Sequence, residues 1–217
     1  MWTKLLGHEG LLMIQDGAQV RLYEQPSAGE RNGPRWPYTE IYSIYTPSYQ
    51  GGLILSDVNG DGLPDLYCGN YWIRSPESFE LSWRLFAINE LHKTPRASNF
   101  RLILTPDGLI AAQGDLDENP HISLFTSVAD RTQEWNERPL ADGLQIKRPK
   151  AAAFDGRFLL IGENAGEGSR LFLFDRDADW RATEISRTGG LHSAFALGPG
   201  RFLAVGRDRL YLFSVGK

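Results

Sequence analysis

The segment Asp57-Val-Asn-Gly-Asp-Gly-Leu-Pro-Asp65 combines oxygen-bearing side chains with glycines. Asp57, Asn59, Asp61 and Asp65 occupy positions 1, 3, 5 and 9 of this nine-residue stretch. Hard divalent cations such as calcium take about six to eight oxygen ligands, and the Leu63 carbonyl offers one more. Three carboxylates this close repel one another unless a cation neutralises them. The spacing therefore predicts a Ca²⁺ site whose ligands are Asp57, Asn59, Asp61, Leu63 and Asp65.

The residues around this segment indicate which structure holds it. An EF-hand begins with a similar pattern, but it needs helices on both sides and a glutamate at the twelfth position. The twelfth position here is Cys68, and both flanks are short apolar runs, Leu53-Ile-Leu-Ser56 and Leu66-Tyr-Cys68, that are typical of strands. The segment is therefore predicted to join two strands. A metal-free turn is the alternative, because Asp, Asn and Gly are common turn formers.

A repeated pattern extends along the whole chain. Each unit has an apolar run, a turn closing on glycine, a second apolar run, a polar turn and a strand with Leu-Phe or Leu-Tyr. The second unit takes Trp83-Arg-Leu-Phe86 as that third strand. Successive turn glycines lie 44 to 52 residues apart, and they are Gly10, Gly62, Gly108, Gly156 and Gly200. Most units also have a candidate outer strand, beginning at Tyr38, near Arg96, at Trp135 and at Trp180.

This period predicts an all-β fold, a small β-propeller of about five blades with four antiparallel strands each. The 217 residues are predicted to form one domain, with blades at about 1–46, 51–100, 101–145, 149–187 and 191–217. The fifth unit reaches Lys217 directly after its third strand, so the last blade is expected to be incomplete. An open sheet edge favours pairing with another strand.

The acidic segment, placed between the first two strands of a blade, resembles the FG-GAP/VCBS family of calcium-binding propeller repeats, which includes the integrin α-subunit head. Asp57, Asn59, Asp61 and Asp65, followed by Asp65-Leu-Tyr-Cys-Gly-Asn-Tyr-Trp72, carry the resemblance over about residues 51–73. The family's Phe-Gly-Gly-Ala-Pro signature is absent. The resemblance implies that calcium is structural and that the chain is extracellular, periplasmic or at a cell surface.

Composition narrows the partners and the compartment. The net charge is −4 and no basic stripe is present, which argues against nucleic acid as a partner. No run of 18 apolar residues occurs, so no membrane span is predicted. The N-terminus Met1-Trp-Thr-Lys-Leu-Leu-Gly7 does not look like a signal peptide, which leaves a cytoplasmic location open. The single Cys68 does not indicate the compartment.

Propellers bind partners mainly through the turns between second and third strands and through the links between blades. In this chain those segments contain acids, amides, an arginine and aromatic rings, which suit a glycan or a protein hot spot. Coverage of blade edges is the alternative role for the tryptophans. The residues assigned to this candidate ligand-binding surface are Trp36, Asn70, Tyr71, Trp72, Asp115, Glu163 and Arg207.

Three functions remain open at this point. No nucleophile elbow, phosphate loop or zinc spacing is present, which favours a non-catalytic, calcium-stabilised module for protein recognition or assembly. A carbohydrate-binding lectin is the second hypothesis and uses the aromatic surface. A glycoside-processing enzyme is the third, with Asp115 and Glu163 as the carboxylate pair that such chemistry requires.

Overall fold

In the part of the chain that the structure describes, every sheet is antiparallel, and within a sheet each strand pairs with the one next to it in the sequence. This computed structural model describes residues 1–16, 19–26, 36–44, 52–88, 101–113, 121–141 and 143–216. Within those ranges there are nineteen strands, one 3-10 helix at Arg176–Ala178 and no α-helix. The chain divides into two compact units, and each is described separately below.

Unit 1 comprises Met1–Arg96 and Val128–Glu134 and contains the first two sheets. The first sheet consists of β1 (Trp2–Leu5), β2 (His8–Gln15), β3 (Gln19–Glu24) and β4 (Tyr38–Ser43). The second consists of β5 (Leu53–Ser56), β6 (Asp65–Cys68), β7 (Tyr71–Arg74) and β8 (Arg84–Ala87). One apolar cluster joins them, with Leu12 and Leu22 from the first sheet and Leu66 and Ile73 from the second. Burial of these faces holds the acidic loop between β5 and β6 on a packed sheet.

Unit 2 comprises Ala97–Ser127 and Trp135–Lys217 and contains three sheets. The third sheet consists of β9 (Arg101–Thr105), β10 (Gly108–Gln113), β11 (His121–Thr126) and β12 (Asn136–Pro139). The fourth consists of β13 (Pro149–Phe154), β14 (Phe158–Glu163), β15 (Ser169–Asp175) and β16 (Arg181–Thr188). The fifth consists of β17 (Leu191–Gly198), β18 (Arg201–Gly206) and β19 (Leu210–Ser214). Ile110 and Phe172 share one buried cluster, and Leu171 and Phe202 share another.

These sheets confirm the predicted fold class. The described residues form four sheets of four antiparallel strands and a fifth of three, as the repeat predicts. The outer strands predicted at Tyr38, Trp135 and Trp180 correspond to β4, β12 and β16. The outer strand predicted near Arg96 lies outside the described residues.

The second sheet corrects one strand assignment. The third strand is Tyr71–Arg74, because Tyr67 pairs with Trp72 and Cys68 with Tyr71 across a two-residue turn. Gly69 begins that turn with a φ of 61°, a backbone region that favours glycine. Arg84–Ala87, predicted within the third strand, pairs with β7 as the fourth strand instead. Tyr71 and Trp72 therefore lie in a strand and not in a surface turn.

Gly10 also has a different role from the predicted one. The turn of the first sheet lies at Leu6 and Gly7, and Gly10 is inside β2 opposite Thr3. A Cβ atom at Gly10 would lie 2.3 Å from the Tyr23 carbonyl oxygen of β3. Gly108, at the start of β10, meets the Phe125 carbonyl oxygen at the same 2.3 Å. Gly10 and Gly108 thus occupy equivalent positions in their sheets. Their common feature is a close approach to a carbonyl oxygen of the third strand, and not a turn.

Candidate functional site

Asp57 organises the acidic loop, residues 57–64 between β5 and β6. Its Oδ1 accepts hydrogen bonds from the N–H groups of Gly60 at 2.7 Å and Asp61 at 3.1 Å, and its Oδ2 accepts one from Gly62 at 2.9 Å. Gly60 and Gly62 have φ values of 79° and 84°, which L side chains rarely adopt. One carboxylate and two glycines therefore define the path of the loop.

Asn59 and Asp61 form the outer part of the loop. The Asn59 amide donates to Asp61 Oδ2 at 2.7 Å, and Asp61 Oδ1 accepts the N–H of Leu63 at 2.9 Å. The Arg74 guanidinium of β7 also donates to Asp61 Oδ2, at 3.2 Å. The pKa of Asp61 is lowered, first by the Leu63 N–H and then by the Asn59 and Arg74 contacts. Asp61 is thus a charged, exposed carboxylate with an arginine beside it.

Asp65 has a different environment, because it is completely buried at the start of β6. Its Oδ2 accepts N–H groups of Val58 at 3.0 Å and Asn59 at 3.4 Å. Its Oδ1 accepts the N–H of Ser75 at 2.8 Å. Burial raises the pKa of Asp65, and these N–H donors act in the opposite direction. Asp65 therefore ties both the acidic loop and the segment after β7 to the sheet.

The donors of this loop match calcium in kind, since every side chain in the predicted set is an oxygen ligand. Asp57 and Asp61 are exposed to solvent, so an ion can reach them. Across the described ranges, however, no group of three or more acidic, histidine or cysteine side chains converges on one point. Arg74 supplies positive charge to Asp61 instead. The ligand chemistry fits, and the predicted calcium site stays a prediction.

The β6–β7 hairpin removes Trp72 from the predicted ligand-binding surface. Trp72 is 1% exposed, stacks on Phe86 at 4.7 Å and donates its indole N–H to the Arg131 carbonyl at 3.0 Å, all within unit 1. Asn70 is buried as well, and Tyr71 is half-buried on β7. A buried indole cannot stack on a sugar, so the prediction that Trp72 forms a binding platform is wrong.

The other members of that surface have varied surroundings. Trp36 is 40% exposed in unit 1, and Arg207 is exposed in the turn between β18 and β19 of unit 2. Asp115 lies outside the described residues. The structure thus leaves Trp36 and Arg207 accessible to a ligand.

Glu163, the other half of the predicted carboxylate pair, is 2% exposed at the end of β14. Arg170 pairs with it at 2.7 Å, and the Lys147 N–H donates to it at 2.8 Å. The same Arg170 contact raises the pKa of the arginine. Glu163 borders an open surface cavity of about 420 Å³ whose wall also includes Lys147, Glu167 and Arg187. Because its oxygens are occupied by these donors, Glu163 acts as an internal anchor of the fourth sheet.

One surface was not singled out from the sequence: the exposed apolar face of the fifth sheet. Phe195 pairs with Leu203, and Leu203 with Leu212, so the three side chains form a row across the sheet. Val205 and Leu210 belong to the next row of the same face. Phe195, Leu210 and Leu212 are 54%, 69% and 61% exposed. Along Leu210–Ser214 exposed and half-buried residues alternate. In the sequence Leu210-Tyr-Leu-Phe213 is a continuous apolar run, so local spacing does not show which of its two faces is open to solvent.

Comparison with solved structures establishes the architecture. The Dos1 propeller matches 93% of this chain and 55% of its own length, with a TM-score of 0.55 and 14% identity. The Cps50 (Swd1) β-propeller domain of Myceliophteria thermophila matches 94% of this chain and 65% of its own, with a TM-score of 0.53 and 11% identity. The fold is a β-propeller. At these identities the likeness concerns the fold alone, and the chain spans between half and two thirds of the length of these two structures.

Comparison at the level of sequence adds no relative. No family model and no curated protein matches this chain. The resemblance of the acidic loop to FG-GAP/VCBS repeats therefore stays a prediction. In the described part of the chain no helix is long and apolar enough to span a membrane.

Proposed function

We propose that this propeller is a non-catalytic module that recognises a protein partner, and that the partner binds the exposed apolar face of the fifth sheet. That face, defined by Phe195, Leu203, Val205, Leu210 and Leu212, is the observation that carries the proposal. Large apolar side chains gathered on one solvent-facing surface are typical of protein interaction sites. In the described part of the chain eleven large apolar residues are exposed, and four of them lie in this one sheet. Three are Phe195, Leu210 and Leu212, and the fourth, Leu197, lies beside the face.

Site-specific photocrosslinking tests the proposal. A benzoylphenylalanine at position 195 is compared with one at position 134, because Glu134 is exposed and polar and lies in unit 1. We expect one protein to be captured at 195 and not at 134 in native extract. The purified partner then binds the chain directly, and Phe195→Ala weakens it at least about tenfold, as expected for an apolar anchor. Equal capture at both positions, or none at 195, would contradict the proposal.

We further propose that the acidic loop binds Ca²⁺ and that the ion stabilises unit 1. The ligands would be Asp57, Asn59, Asp61, Asp65 and the Leu63 carbonyl, and the ion would neutralise the three carboxylates. The support is the all-oxygen donor set and the solvent access of Asp57 and Asp61. Extracellular calcium modules bind with dissociation constants on the order of 10⁻⁴ to 10⁻³ M.

Thermal melting with and without calcium tests this second proposal. At about one hundred times the dissociation constant, a ligand stabilises by about 2.7 kcal/mol. We expect calcium to raise the melting temperature of the wild type and not that of Asp57→Ala. Asp130→Ala is the matched control, since Asp130 closes an exposed turn in the same unit by accepting the Thr132 N–H and lies outside the predicted ligand set. An unchanged wild-type melting temperature at 10 mM calcium, against EDTA as reference, would show that the loop is a metal-free turn.

A further inference from the structure

Arg148 has a backbone conformation that its position in the fold does not require. Its φ is 45°, in the left-handed region, although it directly precedes Pro149 at the start of β13 and lies in no hairpin turn. A residue before proline is normally extended. In the described part of the chain the other non-glycine residues with positive φ lie at hairpin turns or directly after the 3-10 helix: Leu6, Asp16, Asp179 and Trp180. Arg148 is the exception, and strain of this kind is concentrated at functional sites.

The surrounding structure fixes this conformation. The Arg148 carbonyl accepts the Asn164 N–H at 3.0 Å, and the Lys147 N–H donates to the buried Glu163 carboxylate at 2.8 Å. Pro149, on the other side, is buried. A strained residue persists only where its neighbours hold it in place. The chain therefore keeps an arginine at a position where glycine would be unstrained.

The side chain of Arg148 has a donor without an acceptor. Its Nε is buried and has no hydrogen-bond partner among the described residues. A buried donor without an acceptor is unfavourable. The guanidinium group is a planar fork whose geometry matches the oxygens of carboxylates and phosphates. Because Arg148 as a whole is only half-buried, an anion from solvent can reach the residue and supply the acceptor.

Two more cationic residues lie at the same end of the inner strands of unit 2. Arg101 begins β9 and Lys150 is the second residue of β13, and the Arg101 Nε donates to the Lys150 carbonyl at 2.8 Å. Burial lowers the pKa of Arg101, as expected for a cation withdrawn from water. The Asn164 amide, next to the Arg148 carbonyl, donates to the Leu191 carbonyl of β17 at 2.9 Å. The first residues of β9, β13 and β17 are thus joined by direct contacts.

The acidic residues described near this end have other surroundings. Glu163 pairs with Arg170 at 2.7 Å, and Asp208 lies 3.8 Å from Arg209. Glu167 belongs to the cavity that Glu163 borders. The acids of the link between β10 and β11 lie outside the described residues: Asp115, Asp117 and Glu118. Within the described ranges no carboxylate lies at ion-pair distance from the Arg148 guanidinium.

We propose that Arg148, together with Arg101 and Lys150, binds a phosphate monoester at this end of unit 2. Such a group carries a charge of about −1.5 to −2 and three strong acceptor oxygens, so it can compensate several cations at once. A carboxylate has one charge and two oxygens. Nucleic acids instead need a series of phosphate contacts along a backbone, and these cations form one cluster. The site uses other residues than the apolar face of the fifth sheet and does not rest on the proposed function.

NMR titration of the ¹⁵N-labelled chain at constant ionic strength tests the proposal. The probes are a short phosphoserine peptide and glycerol phosphate, which represent a protein and a small-molecule source of the same group. We expect at least one of them to shift the Arg148 Nε–H resonance with a saturable curve, and the tighter one identifies the source. The unphosphorylated peptide, acetate and dimethyl phosphate should bind at least about tenfold more weakly. Equal binding of dimethyl phosphate, a diester, or no saturable shift with either monoester would overturn the proposal.

Arg148→Gly separates a ligand-binding role from a structural one. Glycine adopts a positive φ without strain, so the melting temperature in phosphate-free buffer should stay the same or rise. The dissociation constant of the tighter monoester should increase at least about tenfold. Asp16→Gly is the matched control, because Asp16 has a φ of 52° in an exposed hairpin turn of unit 1. This control should have a similar effect on melting and leave phosphate binding unchanged.

Unchanged phosphate binding in Arg148→Gly would overturn the proposal, whatever the melting temperature. A second variant decides the question if Arg148→Gly does not fold. Arg148→Lys keeps the positive charge but lacks the Nε–H, so it should weaken binding measurably, and its spectrum identifies the Arg148 Nε–H resonance by the missing peak. Binding to Arg148→Lys as tight as to the wild type would show that the guanidinium group does not hold the phosphate.

Discussion

Two buried carboxylates, Asp65 and Glu163, are held by different means. Glu163 pairs with the Arg170 guanidinium, so a full positive charge compensates its burial. Asp65 accepts main-chain N–H groups of Val58, Asn59 and Ser75. A buried carboxylate without donors would be strongly unfavourable, and each of these N–H groups would cost about 1 to 3 kcal/mol if buried without an acceptor. Asp65 is therefore a structural residue whether or not the acidic loop binds calcium.

This role leads to a prediction for Asp65→Ala. The substitution leaves three N–H groups without their acceptor, and each buried unsatisfied group costs about 1 to 3 kcal/mol. We expect a loss of about 3 kcal/mol in the free energy of unfolding, measured by urea denaturation in EDTA so that metal binding does not contribute. Asp130→Ala, which affects an exposed turn, is expected to change it by less than about 1 kcal/mol. If both substitutions lowered the free energy of unfolding by the same amount, Asp65 would not have the structural role described here.

At the scale of the strands, glycine has two distinct roles in this repeat. Gly60 and Gly62 permit the positive φ angles of the acidic loop, whereas Gly10 leaves room for the Tyr23 carbonyl of the neighbouring strand. Both roles require glycine, so the sequence alone does not distinguish Gly10 from a turn residue. The register of β2 against β3 nevertheless matches that of β10 against β11, since Leu11 faces Tyr23 as Leu109 faces Phe125.

The close approach at Gly10 can be tested by Gly10→Ala. The added methyl group would lie 2.3 Å from a main-chain oxygen, so the two strands must move apart. Such overpacking costs about 1 to 3 kcal/mol, measured as the change in free energy of urea unfolding. Gly189→Ala is the matched control, because its Cβ would have no neighbour closer than 4.0 Å. If Gly10→Ala lowers the free energy of unfolding no more than Gly189→Ala does, the two strands can separate to admit the methyl group without a measurable cost.

The second sheet shows where a different reading of the sequence would have succeeded. Trp135 and Trp180 each directly precede a fourth strand, and Trp83 precedes β8 in the same way. All three indoles are buried, at 8%, 2% and 8% exposed respectively. Alignment of Trp83 with the other two, together with Gly69-Asn70 as a two-residue turn, predicts β7 and β8 as they are found. The Leu-Phe pair in Trp83–Phe86 predicts a third strand instead, because the third strands of other units contain the same pair.

At the scale of the whole molecule, the sequence predicted the number and kind of sheets better than it predicted the sites. The same pattern occurs in five units, so each unit predicts the same kind of sheet. A wrong strand assignment in the second sheet therefore does not change the predicted architecture. Site residues have no such redundancy. Trp72 has the residue type of a binding platform, but its neighbours Phe86 and Arg131 bury it, and they lie 14 and 59 positions away. Burial that depends on distant packing cannot be read from local spacing.

The pH dependence of global stability follows from two buried groups of β6. Burial raises the pKa of Cys68 from 9.0 to about 12, and it raises that of Tyr67 from 10.0 to about 12. A pKa that is higher in the folded state means that the unfolded chain releases these protons first as pH rises. The resulting stability is fully present below about pH 9 and is lost progressively as pH rises from there to about 12. We therefore expect the chain to unfold in alkali through this window.

Urea unfolding at successive pH values measures this loss, with Cys68→Ala and Tyr67→Phe as the variants that remove the titrating groups. The double variant has a lower stability at pH 7, because it loses packing and polar contacts, but its stability should fall less steeply between pH 9 and 12. Because thiolate is the reactive form of cysteine, Cys68 should also resist a thiol reagent at pH 8 until the chain unfolds. Rapid labelling of Cys68 in the folded protein would show that β6 is accessible to water. The same conclusion would follow if the free energy of unfolding fell equally steeply with pH in the wild type and in the double variant.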